Sequence, residues 1–379
     1  MSIWVEDTAR NALAAWAGEA HVRGLVEAAV LSPFCTPRVK DWKQSGSETV
    51  DRLRDAGVEV WFDPETHALQ MPAVGFFRYY QSWDLWAGQS GALETEAEMR
   101  DHVRRVYAIQ DELGAPHLAP TILLHSAQSP TSQRALDLSR IAVQEDSGCR
   151  LSIAGDATFW GGGTLLDGHI GALAQLEPSG WFLTVCRQYG AVPAPVIPGE
   201  VHGLCRTVRA LGDETPVHVS HGDLAGLPAL AAGGASLGTG WDSRQKVSAY
   251  SSYAAPDPDA EGGQWFSQAT HQGLVACLVR GDAQVLADRD AVLSSRLLPG
   301  TVPPLPKDAW MHHASVLNRL SGALALPHAD AYHALKAMYE SALVEWPIAA
   351  GVIGIASREV AWITPLLVGL EAYGGTEGF

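Results

Sequence analysis

The sequence predicts an α/β fold: a (β/α)8 TIM-type barrel, regular or irregular, with an added C-terminal helical region. Three observations lead there. Strand-like and helix-like runs alternate at a spacing of about 30 residues as far as position 255, the pattern of βα units paired in parallel through right-handed crossovers. Polar residues cluster where the strand-like runs end, as they do at the mouth of a barrel. No Gly-x-Gly-x-x-Gly turn follows the first strand-like run, which argues against a doubly wound dinucleotide fold.

Taken in order, residues 1–20 read as a short N-terminal helix, without the basic segment and apolar run of a signal peptide. The barrel is expected over 21–255. Its strands are Gly24–Phe34, Val58–Asp63, His117–Ser126, Arg150–Thr158, Trp181–Arg187, Pro216–His221 and Ala235–Trp241. Helices are expected at Glu48–Ala56, Glu94–Leu113, Ser132–Ser147, Leu165–Leu176, Glu200–Leu211 and Leu224–Ala232, with Gly57 and Gly114 as stops. The eighth strand is open; Ala283–Leu286 is one candidate, a seven-unit ring the other. An aromatic insertion, 68–90, contains FFRYYQSWDLW. It reads either as a stacking surface or, preferably, as an arm packing on the barrel or on a second subunit. Residues 256–379 open with a polar loop, 256–263, and then read as helices over 264–280, 288–297, 307–324 and 329–346.

Composition excludes several classes of function. The formal charge is −16, and the densest basic run, RDHVRR at 100–105, also carries an acid, so extended nucleic-acid binding and anionic membranes are disfavoured. Arg358 and Glu359 break the apolar run 346–370, leaving it short of a membrane span; it reads as core or as a partner-facing surface. Five cysteines, an odd number with no Cys-x-x-Cys, predict a reducing cytoplasm rather than a disulfide framework or thiolate zinc site. No organic cofactor is implied.

The chemistry is expected at the strand ends. Asp63 follows VWF; a carboxyl beside apolar bulk has a raised pKa and suits acid–base work, while an Asx cap on the Pro64 turn explains it equally well. Asp156 precedes Phe159, Trp160 and three glycines that let backbone approach a ligand. In the His-x-x-His-x-Asp run of His218, His221 and Asp223, the two histidines break the period-two spacing that strand metal ligands need, so a metal site is weak, His221 is the proton carrier and His218 a structural histidine. Gly233–Asp242 is a glycine-rich turn in which Thr239, Gly240 and Arg244 could hold an anion; Trp241 and Asp242 shift it toward a neutral or cationic group. His67, His125, Arg187 and Gly222 complete the expected substrate contacts.

Acids at several strand ends, with Asp242 followed by Arg244 after an Ala-Gly-Gly turn, resemble the tRNA-guanine transglycosylase barrel. That resemblance implies Asp242 as nucleophile toward a ribosyl carbon and Asp156 as the acid that recognises the base. The expected activity is acid–base or nucleophilic chemistry by Asp63, Asp156, His221 and Asp242 on a small polar substrate, with glycosyl or nucleobase transfer or hydrolysis as the class. The alternatives are a non-catalytic barrel subunit, associating through 76–86 or the apolar C-terminus, and a metal-dependent hydrolase using His67, His125, His218 or His221.

Overall fold

The computed structural model describes residues 1–6, 13–41, 44–255, 268–357 and 359–379, with backbone only at 13 and 359–361. Eight parallel strands with helices between them form a (β/α)8 barrel. They are β1 (Ser2–Glu6), β2 (Ala28–Leu31), β3 (Glu59–Phe62), β4 (Leu123–Leu124), β5 (Arg150–Asp156), β6 (Gly180–Cys186), β7 (Val217–Ser220) and β8 (Ser236–Thr239). Spatial order follows chain order around the ring, with β1 between β8 and β2.

That position of β1 corrects the sequence reading. The segment expected to open a helix supplies the missing strand, while Ala283–Leu286, the candidate for it, lies in the helix Arg280–Arg289. Five residues is short, but the alternation is clear. Ile3 and Val5 join the core beneath the helices, whereas Trp4 belongs to the barrel interior. The rest of the expected helix begins at Leu13, and residues 7–12 lie outside the described ones.

The ring meets itself between β3 and β4, the two ends of the hydrogen-bonded strand order. Side-chain amides bridge this seam. Gln110 Nε2, from the helix Glu96–Leu113, donates to the carbonyls of Phe62 and Leu118 at 2.9 Å each, and its Oε1 accepts from Leu118 N at 3.2 Å. Gln70 Oε1 accepts from Leu123 N at 2.7 Å. Buried backbone groups without a ladder partner are thus satisfied.

The barrel floor is aromatic. Trp4, Trp61 and Phe182 pack with Ala28, Val30 and Leu118, and His218 stacks on Trp4 at 4.2 Å between ring centroids. The Arg150 guanidinium lies 4.1 Å from the Trp61 ring. Period-two alternation places the next inward residues, Glu6, Ser32, Asp63 and Ser220, one layer above this apolar plug. Gly238 makes the layer possible: a Cβ there would collide with Glu6 Oε1.

The aromatic insertion packs on its own barrel. Tyr80, Trp83 and Leu85 are buried, Trp83 Nε1 donates to the Thr36 carbonyl at 2.8 Å, and Trp86 stacks on His102 at 3.8 Å; Phe76 stays exposed.

The C-terminal region departs from expectation at its start. The helix expected over 264–280 is an antiparallel hairpin, β9 (Gln268–His271) with β10 (Ala276–Val279). The expected loop 256–263, and residues 264–267, lie outside the described ones. Helices follow at Arg280–Arg289, Ala291–Leu297, Pro306–Ala323, His328–Ile353 and Glu359–Glu377. The last packs against both His328–Ile353 and the barrel helix Pro198–Gly212, where a Cβ on Gly369 would press on Val201. No helix among the described residues is long and apolar enough to cross a membrane.

Candidate functional site

Directly above the aromatic floor, three buried acids surround one imidazole. Glu6 ends β1, Asp63 and Glu65 follow β3, and His221 follows β7. Glu65 and His221 both have left-handed backbone, at φ 44° and 50°, an uncommon conformation for residues with a side chain and one that marks functional turns. Glu6 Oε1 accepts from Ser220 Oγ at 3.0 Å and from the His221 amide at 3.2 Å, with His218 Nε2 at 3.4 Å. His221 Nδ1 lies 3.0 Å from the Gln245 carbonyl, which makes Nδ1 the donor there and turns Nε2 toward Glu65 Oε1 at 3.8 Å. Glu65 also accepts from Ser32 Oγ at 2.6 Å and Tyr253 Oη at 3.1 Å.

Burial above an apolar plug, then the neighbouring Glu65 and Glu6 carboxyls, push Asp63 up to about 8. Burial alone would discharge His221, but Glu6, Glu65 and Asp63 override it and hold the imidazolium up to about 9. Burial likewise opposes ionisation of Glu6, yet the His221 charge and the His218 hydrogen bond keep its carboxyl below the usual range. At neutral pH Asp63 is therefore a proton donor beside an imidazolium. Asp63 Oδ1 accepts from Glu65 N at 2.8 Å, so the expected Asx turn is present as well.

His67 lies at this cluster with its Nε2 buried and without a partner among the described residues; burial lowers it to about 4, so it is neutral. Arg244 stands against the rings of Phe77 and Tyr253, 5.9 Å from each centroid, and donates to Cys35 Sγ and to the Ser252 carbonyl.

A cleft of about 690 Å³ adjoins the mouth, lined by Asp156, Cys186, Arg187, Glu200 and Tyr250 among others. His125 Nδ1 meets Asp156 Oδ2 at 2.6 Å, while Asp156 Oδ1 caps the short helix Ala157–Trp160. Among the described residues the Tyr250 hydroxyl has no partner. Arg187 is held in a fork by Glu200, at 2.5 and 3.0 Å, so its charge serves the cleft wall.

The remaining expected site residues have other partners. Gly222 leaves room for Leu237 and Val219, and Gly240 for the Gln245 side chain. Gln245 Oε1 accepts from the amides of Trp241 and Asp242 at 2.9 and 3.2 Å, so the donors an anion would need at this turn are occupied. Asp242 is the capping-box residue of Ser243–Lys246. Trp241 packs edge-on against Trp16 and Trp310, and Thr239 donates to Asp223, away from the mouth. Among the described residues no three His, Cys, Asp or Glu are grouped to hold a metal ion.

Sequence reasoning missed Glu6, because the strand that carries it was read as a helix. Glu65 was visible as one more polar residue after VWFD, but its positive φ and convergence on His221 are tertiary facts.

No family model matches the chain, and no curated protein matches it. One solved structure similar to it is titled a psychrophilic glycoside hydrolase family 10 endo-β-1,4-xylanase. Its TM-score is 0.35 at 10% identity, over 61% of this chain and 81% of that one.

Proposed function

We propose that the chain is a barrel enzyme that moves protons on a small neutral or cationic polar substrate at the mouth, with cleavage or transfer of a glycosyl or nucleobase group as the reaction class. The observation that carries this reading is the convergence of Glu6, Asp63 and Glu65 on His221 above a water-excluding aromatic floor. Asp63 donates its proton to the leaving oxygen or nitrogen. The Glu65 carboxylate faces the positive charge that develops at the reacting carbon, or aligns the attacking water. Two acids in unlike environments, one kept protonated, are the division of labour such chemistry requires. Glu6 positions His221 and compensates its charge. The unpartnered His67 Nε2 and Tyr250 Oη are polar atoms left for a ligand.

The test is a panel of nucleosides, neutral sugars and amino sugars, read first by thermal shift and then by product chromatography. A ligand that stabilises the protein and is turned over is expected, with turnover reduced about 100-fold or more in Asp63→Asn. Undiminished turnover in that variant, or no hit in the panel, overturns the reading.

A further inference from the structure

A second reactive constellation lies outside the mouth, where the helical region meets the barrel. The His-Gly-Asp turn after β7 sends its two ionisable residues to different places: His221 joins the mouth, whereas Asp223, also left-handed at φ 43°, points to the helix Pro306–Ala323. Asp223 Oδ2 accepts from His313 Nε2 at 2.9 Å and from Thr239 Oγ1. With Nε2 as donor, His313 Nδ1 is left as a base, and it faces Thr270 Oγ1 at 2.7 Å and Cys277 Sγ at 3.9 Å. Thr270 Oγ1 is 3.4 Å from the same sulfur. Cys277 and Thr270 are register partners on the hairpin, so they share one face with the next pair, Val279 and Gln268.

Cys277, Val279 and Gln268 line a cleft of about 410 Å³. Its walls include Val192, Leu278, Trp346 and Trp362, with Asp282 as the charged lining residue among the described ones. Both indoles are fixed: Trp346 Nε1 donates to Leu274 O at 3.1 Å and Trp362 Nε1 to Val275 O at 3.0 Å. The cleft suits an apolar group, and Asp282 disfavours an anionic one.

We infer that Cys277 is a nucleophile with His313 as its base and Asp223 as the positioning residue, and that the cleft takes the apolar acyl group of a neutral thioester. Sγ attacks the carbonyl carbon while its proton passes through the Thr270 hydroxyl to His313 Nδ1. The tetrahedral intermediate then expels the thiolate of the leaving group, which takes that proton from His313. A thioester on Cys277 and a free thiol result, with no oxidant or reductant needed. Electrostatics agree: burial and the Asp223 charge oppose the thiolate, but Lys246 and His313 hold Cys277 below its ordinary value, and Asp223 keeps His313 raised against burial and Lys246.

The experiment uses the full chain. Incubation with octanoyl-N-acetylcysteamine, read by intact mass and peptide mapping, is expected to add one octanoyl group at Cys277. The adduct is lost in Cys277→Ala and kept in Asp63→Asn, which separates this site from the mouth. Iodoacetamide at pH 7 is expected to modify Cys277 about tenfold faster than glutathione. Asp223→Asn, tolerated by the left-handed backbone, is expected to slow octanoyl transfer about tenfold and to move the His313 limb of its pH–rate profile to lower pH, because it removes the charge that keeps His313 raised; Lys246, His312 and Asp282 are the other ionisable groups facing or near the pair. No acyl adduct, an adduct on another cysteine, or alkylation slower than glutathione overturns the inference.

Discussion

The barrel mouth and the Cys277 cleft use the same residue types to opposite electrostatic effect. At the mouth, Glu6, Asp63 and Glu65 outnumber the one imidazole held charged there, His221, since burial lowers His67 and His218; a proton is therefore retained on a carboxyl in the interior of the ring. At the cleft, Asp223 and Cys277 flank His313 with Lys246 nearby, so charges pair off and the thiol loses its proton more readily. Burial is common to both and does not distinguish them. The ratio of acids to bases does: an excess of acid stores a proton, and a matched set releases one.

The largest expected effect is on turnover. Glu65→Gln, like Asp63→Asn, should lower activity at the mouth about 100-fold or more, while acylation of Cys277 stays at the wild-type rate. Loss of both activities together would merge the two regions into one site. Next comes stability. Glu6→Leu leaves the buried His221 without the carboxylate that contributes most to holding its charge and should cost about 3–5 kcal/mol in urea unfolding. Gly238→Ala should weaken the same contact from the other side by about 1–3 kcal/mol, through the collision with Glu6.

The pH dependence of stability separates the regions further. Asp63 and His221 have folded values above their ordinary ones, so the stability they contribute is complete below the ordinary values and is lost as pH rises toward about 8 and 9. Asp223 is held well below the ordinary range: burial opposes this, but His313, Lys246 and the Thr239 hydrogen bond prevail. Its contribution is present above about pH 4 and lost as pH falls through the folded value. Calorimetric scans should show Asp63→Asn gaining about 2 °C or more over wild type at pH 9, and Asp223→Asn keeping its deficit at neutral pH and beginning to lose it only below about pH 4. Equal pH profiles for the two variants would refute the contrast.

The smallest effect is expected at Asp242. Removing its cap in Asp242→Ala should cost about 1 kcal/mol. A turnover loss beyond tenfold, at a temperature where the fold is intact, would restore the nucleophile role that the transglycosylase resemblance implies.

Much of the barrel was legible because its signals are local. Gly57 and Gly114 stop helices, Val58–Asp63 and Trp181–Arg187 are apolar runs of strand length, and Asp63 stands where burial by VWF must raise it. The site was legible only in part. Asp63, His221, His67 and Arg244 converge with Glu65, visible only as one more polar residue, and with Glu6, whose strand was not recognised; Asp156 with His125 lines the neighbouring cleft. Gly222, Thr239, Gly240 and Trp241 sit in a suggestive motif, yet their contacts are with Val219, Asp223, Gln245 and Trp310.

The amino-acid sequence by itself determined the alternation of strand and helix, the parallel pairing it demands, and the end of the barrel at which polar side chains gather. These follow from periodicity and from glycine and proline punctuation within a few residues. Tertiary structure alone decided that Ser2–Glu6 completes the ring, that Gln110 bridges its seam, and that His221 and Asp223 part company two residues from one another. The physical reason is range. Glu6 meets His221 across 215 positions and Asp223 meets His313 across 90. The protonation state of each depends on neighbours that only the closed barrel and its helical layer bring within reach.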